Sequence, residues 1–81
     1  MRFPFTPEAR RQLRAIDRNF ALRILETIAR CGVDGTCDVA PLHGEWEGCC
    51  RLRIGDYRVI FRRIEDGFEI LAVGHRSEIY Q

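Results

Sequence analysis

The sequence predicts an α+β domain, a two-helix hairpin packed on a small antiparallel β-sheet. Three observations predict it. Apolar residues recur at helical spacing through the first third of the chain, Gly55-Asp56 separates two strand-like runs, and Asp66-Gly67 leads into a third. At 81 residues the chain has room for one domain, taken as residues 1–81. A chain this short buries only about 60% of its unfolded surface, so a partner that binds the folded state would stabilise it by mass action.

Phe3-Pro4-Phe5 is a short apolar start, read as an edge strand that tolerates proline. Thr6-Pro7 opens a helix, because threonine caps and proline suits the first helical position. Ala9, Leu13 and Ile16 follow as one apolar stripe, with Arg10, Arg11, Arg14 and Arg18 mostly off it. Phe20, Ile24 and Ile28 form a second stripe, which Gly32 is expected to end as a left-handed cap. A single helix from Pro7 to Cys31 would be about 37 Å long. That exceeds the diameter of so small a domain, whose expected radius of gyration is about 12 Å. The chain is therefore read as two antiparallel helices, with Asp17-Arg18-Asn19 as the break and the next cap.

Gly32–Gly48, rich in glycine and acids, reads as a loop. Cys50–Ile54 and Tyr57–Ile64 then flank Gly55-Asp56, and glycine at the first central position suits a type II′ hairpin turn. Asp66-Gly67 marks a second hairpin, leading into Phe68–Val73.

The net charge of +1 is uninformative, but its distribution is not. Residues 1–30 carry seven Arg against three acids, and residues 51–63 carry five against one. All thirteen basic residues are Arg. Arginine keeps its charge and grips phosphate with a two-pronged fork. A GC-rich genome that displaces lysine codons explains the missing lysine equally well. No apolar run is long enough to span a membrane and no leader pattern is visible, so the protein is read as cytoplasmic with its four cysteines reduced.

A two-residue turn at Gly55-Asp56 fixes the hairpin register. Arg53 faces Arg58, Leu52 faces Val59, and Arg51 faces Ile60. Alternation puts Leu52, Ile54, Tyr57, Val59 and Phe61 on the face that helices can cover, and Arg51, Arg53, Arg58 and Arg62 on the other. Opposed arginines repel by some tenths of a kcal/mol, and a polyanion would relieve that repulsion. The alternative is a solvated face whose arginines find carboxylates such as Glu45, Glu47 or Glu69.

Leu42-x-Gly44, Gly48-x-x-Arg51-Leu-Arg53-Ile-Gly55-Asp-Tyr57-Arg58-Val-Ile, Val73-Gly74-His75-Arg76 and Ser77-Glu-Ile-Tyr80 together resemble the RelE-type toxins of bacterial toxin–antitoxin pairs. The resemblance covers nearly the whole chain, and the Arg-Leu-Arg-Ile-Gly-Asp-Tyr-Arg stretch is its most specific part. It implies a microbial-ribonuclease-like fold that cleaves messenger RNA in the ribosomal A site, with no metal and no small-molecule cofactor. By position, Arg51 and Arg53 match a basic pair, often lysines, that contacts phosphate or assists proton transfer. Arg58 matches an arginine that stabilises the transition state, and Arg76 a second catalytic arginine. Tyr80 matches a tyrosine that stacks on or orients the nucleotide. Arg62 and His75 are added as nucleic-acid contacts. Arginine at position 53 is a poor proton donor, which makes His75 a candidate acid or base, against the alternative of an ordinary sheet histidine.

The implied partners are a cognate antitoxin, the ribosome and mRNA, with no membrane. Two other toxin readings stand beside the nuclease: a ParE-like inhibitor of DNA gyrase, and a degenerate toxin that acts only as a corepressor with its antitoxin. Cys31, Cys37, His43 and Cys49 match no strong zinc spacing.

Overall fold

Thr6 and Pro7 start the first helix as their chemistry dictates. In the computed structural model the Thr6 hydroxyl oxygen accepts from the Ala9 N–H, Pro7 takes the first turn, and α1 runs Pro7–Arg14. The structure describes residues 1–35 and 37–79, with the backbone alone at 33 and 34. The Asp17 carboxylate then accepts from the Asn19 N–H and caps α2, Arg18–Asp34, so the expected break is present.

The end of α2 differs from expectation. Gly32 lies inside the helix, and Gly35, at φ 67°, is the left-handed cap. Gly32 serves close packing instead, because a Cβ there would come within 2.5 Å of the Phe3 ring and 2.8 Å of the Met1 sulfur.

The Gly32–Gly48 segment is also more ordered than a loop. It holds the end of α2, a short strand β1 (Val39–Pro41) and one 3-10 turn (Gly44–Trp46). β1 pairs antiparallel with β2 (Cys50–Ile54), Val39 opposite Leu52 and Pro41 opposite Cys50. Pro41 is tolerated because β1 is an edge. β3 (Tyr57–Ile64) and β4 (Gly67–His75) complete a four-stranded antiparallel sheet in the order β1-β2-β3-β4. The opening segment lies along the far edge, but as isolated bridges and not as the expected strand. It bridges β4 in parallel at Arg2–Gly67 and Phe5–Ile70.

The expectation of four reduced cysteines does not hold. Cys31 and Cys37 form a disulfide, with their Cα atoms 5.7 Å apart, while Cys49 and Cys50 are free. The chain reverses at the Gly35 cap and returns Cys37 beside the last turns of α2.

Ile24 and Ile28 of α2 and Ala9 of α1 bury against Leu52, Val59, Ile70 and Val73. α1 leans on β4, where the Gln12 side-chain oxygen accepts from the Val73 N–H at 2.8 Å. No helix among the described residues is long and apolar enough to cross a membrane.

Candidate nucleic-acid interface

Gly55 has φ 58° and no non-glycine residue among the described residues has a positive φ, the pattern of a type II′ turn. The register that follows is the expected one: Arg53 opposite Arg58, Leu52 opposite Val59, Ile54 opposite Tyr57. Arg51, Arg53, Arg58 and Arg62 therefore share the face turned away from the helices. That face is not purely polar. Ile60 is 0% exposed and Ala72, paired with it, is 6% exposed, yet neither belongs to the helix-covered core cluster. The neighbours of Ile60 on this face are Arg51 directly across β2, and Arg58 and Arg62 along β3. Their aliphatic stems can cover it in part while the charged ends reach water, and Ile79, beside Gly74, lies on the same face.

The guanidinium groups differ in what holds them. Arg51 pairs with Asp38 at 3.3 Å, and Arg62 pairs with Glu69. Of the carboxylates considered for this face, Glu69 is used, while Glu47 pairs with His43 instead. Arg58 folds back on the turn, its Nη1 donating to the carbonyls of Gly55 at 2.8 Å and Tyr57 at 2.9 Å. Its remaining donors have no partner among the described residues. Arg76 reaches the same turn from the end of β4. Its backbone N–H donates to the Asp56 carbonyl at 2.8 Å, and its Nε lies 3.4 Å from the Asp56 carboxylate. Arg53 has no side-chain partner among the described residues.

His75 is not brought to the arginine face. Strict alternation along β4 would put it there, but a bulge intervenes. Ile60 pairs with Ala72 while Phe61 pairs with Ile70, so Leu71 is an extra residue and every side chain after it changes face. His75 consequently pairs with Tyr57 and meets its ring edge-on at 5.8 Å. The His75 Nδ1 accepts from the Ser77 N–H at 3.2 Å and lies 2.8 Å from the Ser77 hydroxyl. The neutral ring therefore carries its proton on Nε2. Tyr80 falls outside the described residues. No group of three or more metal-ligating side chains gathers among the described residues.

Sequence reasoning missed a second feature on the helix side of the turn. Phe20 is 45% exposed, and its ring lies 5.4 Å from Tyr57, continuing the Tyr57–His75 pair into a row of three rings. Helical spacing assigns Phe20 to the core stripe, so pattern alone carried no signal of this exposure.

The family model described as ParE toxin of type II toxin-antitoxin system, parDE, matches residues 4–80. No curated protein matches the chain. Among solved structures, the toxin–antitoxin complex RelBE2 from Mycobacterium tuberculosis is similar at 26% identity and a TM-score of 0.79, covering 94% of this chain and 91% of that one. The archaeal RelE-RelB complex from Pyrococcus horikoshii is similar at 26% identity and a TM-score of 0.73, covering 95% and 96%. The RelB-RelE complex from Methanococcus jannaschii shares the fold at 22% identity and a TM-score of 0.76, covering 95% and 94%.

Proposed function

This chain belongs to the ParE toxin family of type II toxin–antitoxin systems, within the RelE/ParE superfamily, and from that premise we propose that it is a ribosome-dependent endoribonuclease that cuts messenger RNA in the A site. The observation that carries the reading is the opposed pair Arg53 and Arg58 beside the Gly55-Asp56 turn, with Arg76 tied to the same turn.

In this reading a ribose 2′-OH attacks the adjacent phosphorus. The new P–O2′ bond gives a 2′,3′-cyclic phosphate, the P–O5′ bond breaks, and the leaving 5′-oxygen takes up a proton. Charge gathers on the non-bridging oxygens in the transition state. Arg58 is held by two carbonyls before substrate arrives, so its free donors need little reorganisation to meet that charge. Arg53, which has no side-chain partner among the described residues, brings a cation from the opposite strand. Arg76 supplies a third cation once phosphate competes with Asp56 for it. Arg51 and Arg62 hold flanking phosphates by exchanging Asp38 and Glu69 for them. Tyr80 takes the part of the orienting ring. The protons pass through ribosomal groups or water, because arginine barely titrates and His75 faces the other side of the sheet. A cognate antitoxin masks the arginine face with acidic side chains.

The test is a translating extract. The wild-type protein is expected to cut the message at A-site codons, and Arg58→Ala to slow cutting by about 10²–10³-fold, the usual cost of one transition-state donor. Intact message with the wild-type protein would sink the reading. A second reading, non-cleaving inhibition of DNA gyrase, is favoured by the family model and by the carboxylates already on Arg51, Arg62 and Arg76. Blocked supercoiling with normal translation would select it.

A further inference from the structure

The arginine face ends at the Gly55-Asp56 turn, but the basic surface does not. The pairing of β1 with β2 ends with Val39 opposite Leu52 and a last bond from the Arg53 N–H to the Asp38 carbonyl, which leaves a gap beside Ile54. The middle of α2 borders that gap. A groove there is lined by Arg23, Glu26 and Arg30 of α2 and by Arg53 and Ile54 of β2. Arg23, Arg30 and Arg53 have no side-chain partner among the described residues. Arg53 thus belongs to two surfaces, the hairpin face and this groove.

The groove continues into a cleft that shares Arg23 and Ile54 with it and adds Phe20, Tyr57, Asp56 and His75. Its walls are the row of rings, Phe20 to Tyr57 at 5.4 Å and Tyr57 to His75 at 5.8 Å. The Asp56 carboxylate is already engaged by Arg76, which weakens its repulsion of an anion.

We propose that this groove and cleft bind the single-stranded RNA flanking the cleaved bond, with one base seated against Phe20 and Tyr57 and the adjoining phosphates between Arg23, Arg30 and Arg53. The inference rests on the nuclease reading and extends it from the reacting phosphate to the path of the substrate. Unpaired cations beside an exposed aromatic row are what a single strand requires. The backbone follows the charge, and any base can stack because every base offers a π-face. A peptide helix would need an apolar strip along the groove, whereas of the exposed apolar residues of α2 Phe20 lines it and Leu22 and Leu25 do not. A duplex would keep its bases stacked on each other and leave the rings unused.

The test is binding of a short single-stranded RNA oligonucleotide to the full chain carrying Arg58→Ala, followed by fluorescence anisotropy across a salt series. Phe20→Ala is expected to weaken binding about 10-fold, the usual cost of one stacked base. Its ring is half-exposed, so the variant folds, and a thermal melt checks that. Arg23→Gln with Arg30→Gln is expected to flatten the slope of log K against log salt by about 1.4, two phosphates' worth for a single strand. Arg10→Gln, on α1, should change neither. An unchanged affinity in Phe20→Ala and an unchanged slope in the double variant overturn the proposal. So does an equal loss on an RNA duplex, which would mean charge attraction without a base seat. No binding by the parent overturns it as well. Failure of the nuclease reading looks different, because it leaves message intact in the extract whatever Phe20 does to binding.

Discussion

The two faces of the sheet are made by the same strands and differ in what covers them. On one face Leu52, Val59 and Val73 lie under two helices and are shielded by other apolar side chains. On the other, Ile60 is as fully buried as Val59, both at 0%, yet it lies outside the cluster that the helices pack against. Its neighbours there are Arg51, Arg58 and Arg62, with Ile79 beside Gly74 on the same face, and the Arg51 side chain is only 24% exposed. These arginines therefore hold two roles, as charge and as roof. Replacing one by alanine removes both, so glutamine, which keeps much of the stem, is the cleaner probe of charge.

The largest effects should come from opening each face in turn. Ile24→Ala, under the helix-covered side, is expected to cost about 3–4 kcal/mol of unfolding free energy, and Ile60→Ala about 2–3 kcal/mol, because flexible arginine stems can settle into part of the space. Urea denaturation of both variants measures the difference. A cost below about 1 kcal/mol for Ile60→Ala would mean that the arginine roof does not seal.

Next in size is the disulfide, at the open end of the helix-covered face. Cys31 and Cys37 line an apolar hollow with Ile28, Leu52, Phe61 and Phe68. Joining residues six apart constrains a short loop, worth about 2 kcal/mol on chain-entropy grounds. Cys31→Ser with Cys37→Ser is expected to lower the melting temperature by roughly 10 °C. A thiol reductant should produce the same fall in the wild-type protein and none in the double variant. A wild-type melt indifferent to reductant would show that the pair does not contribute.

The same contrast explains what the sequence could reveal. The hairpin register was legible because a two-residue turn and alternation leave no freedom between Leu52 and Val59. The caps at Thr6 and Asp17 were legible because capping is local chemistry. The face of His75 was not, since one extra residue at Leu71 reverses everything after it and no local signal marks the bulge. β1 was hidden by its length and by Pro41, which argues against a strand unless the edge position is known. Gly32 read as a cap because its contact with Phe3 and Met1 is between segments far apart in the chain. The disulfide was not legible because it depends on the chain reversal at Gly35, which brings Cys37 back beside Cys31 and which cysteine spacing does not reveal.

The smallest effect separates the two roles of the arginine face most sharply. Arg53 lies opposite Arg58, is exposed, and has no carboxylate partner among the described residues, so it adds repulsion to the folded state with little compensation. Arg53→Gln is expected to stabilise the protein by some tenths of a kcal/mol at low ionic strength. The gain should shrink toward zero near 1 M salt, where the screening length is about 3 Å. Message cleavage should fall in the same variant. Stability and activity moving in opposite directions would identify Arg53 as a charge kept for an anionic ligand. If Arg53→Gln is instead destabilising at every salt concentration, the Arg53 charge stabilises the folded state, and relief of repulsion by an anionic ligand is not the reason for the opposed pair.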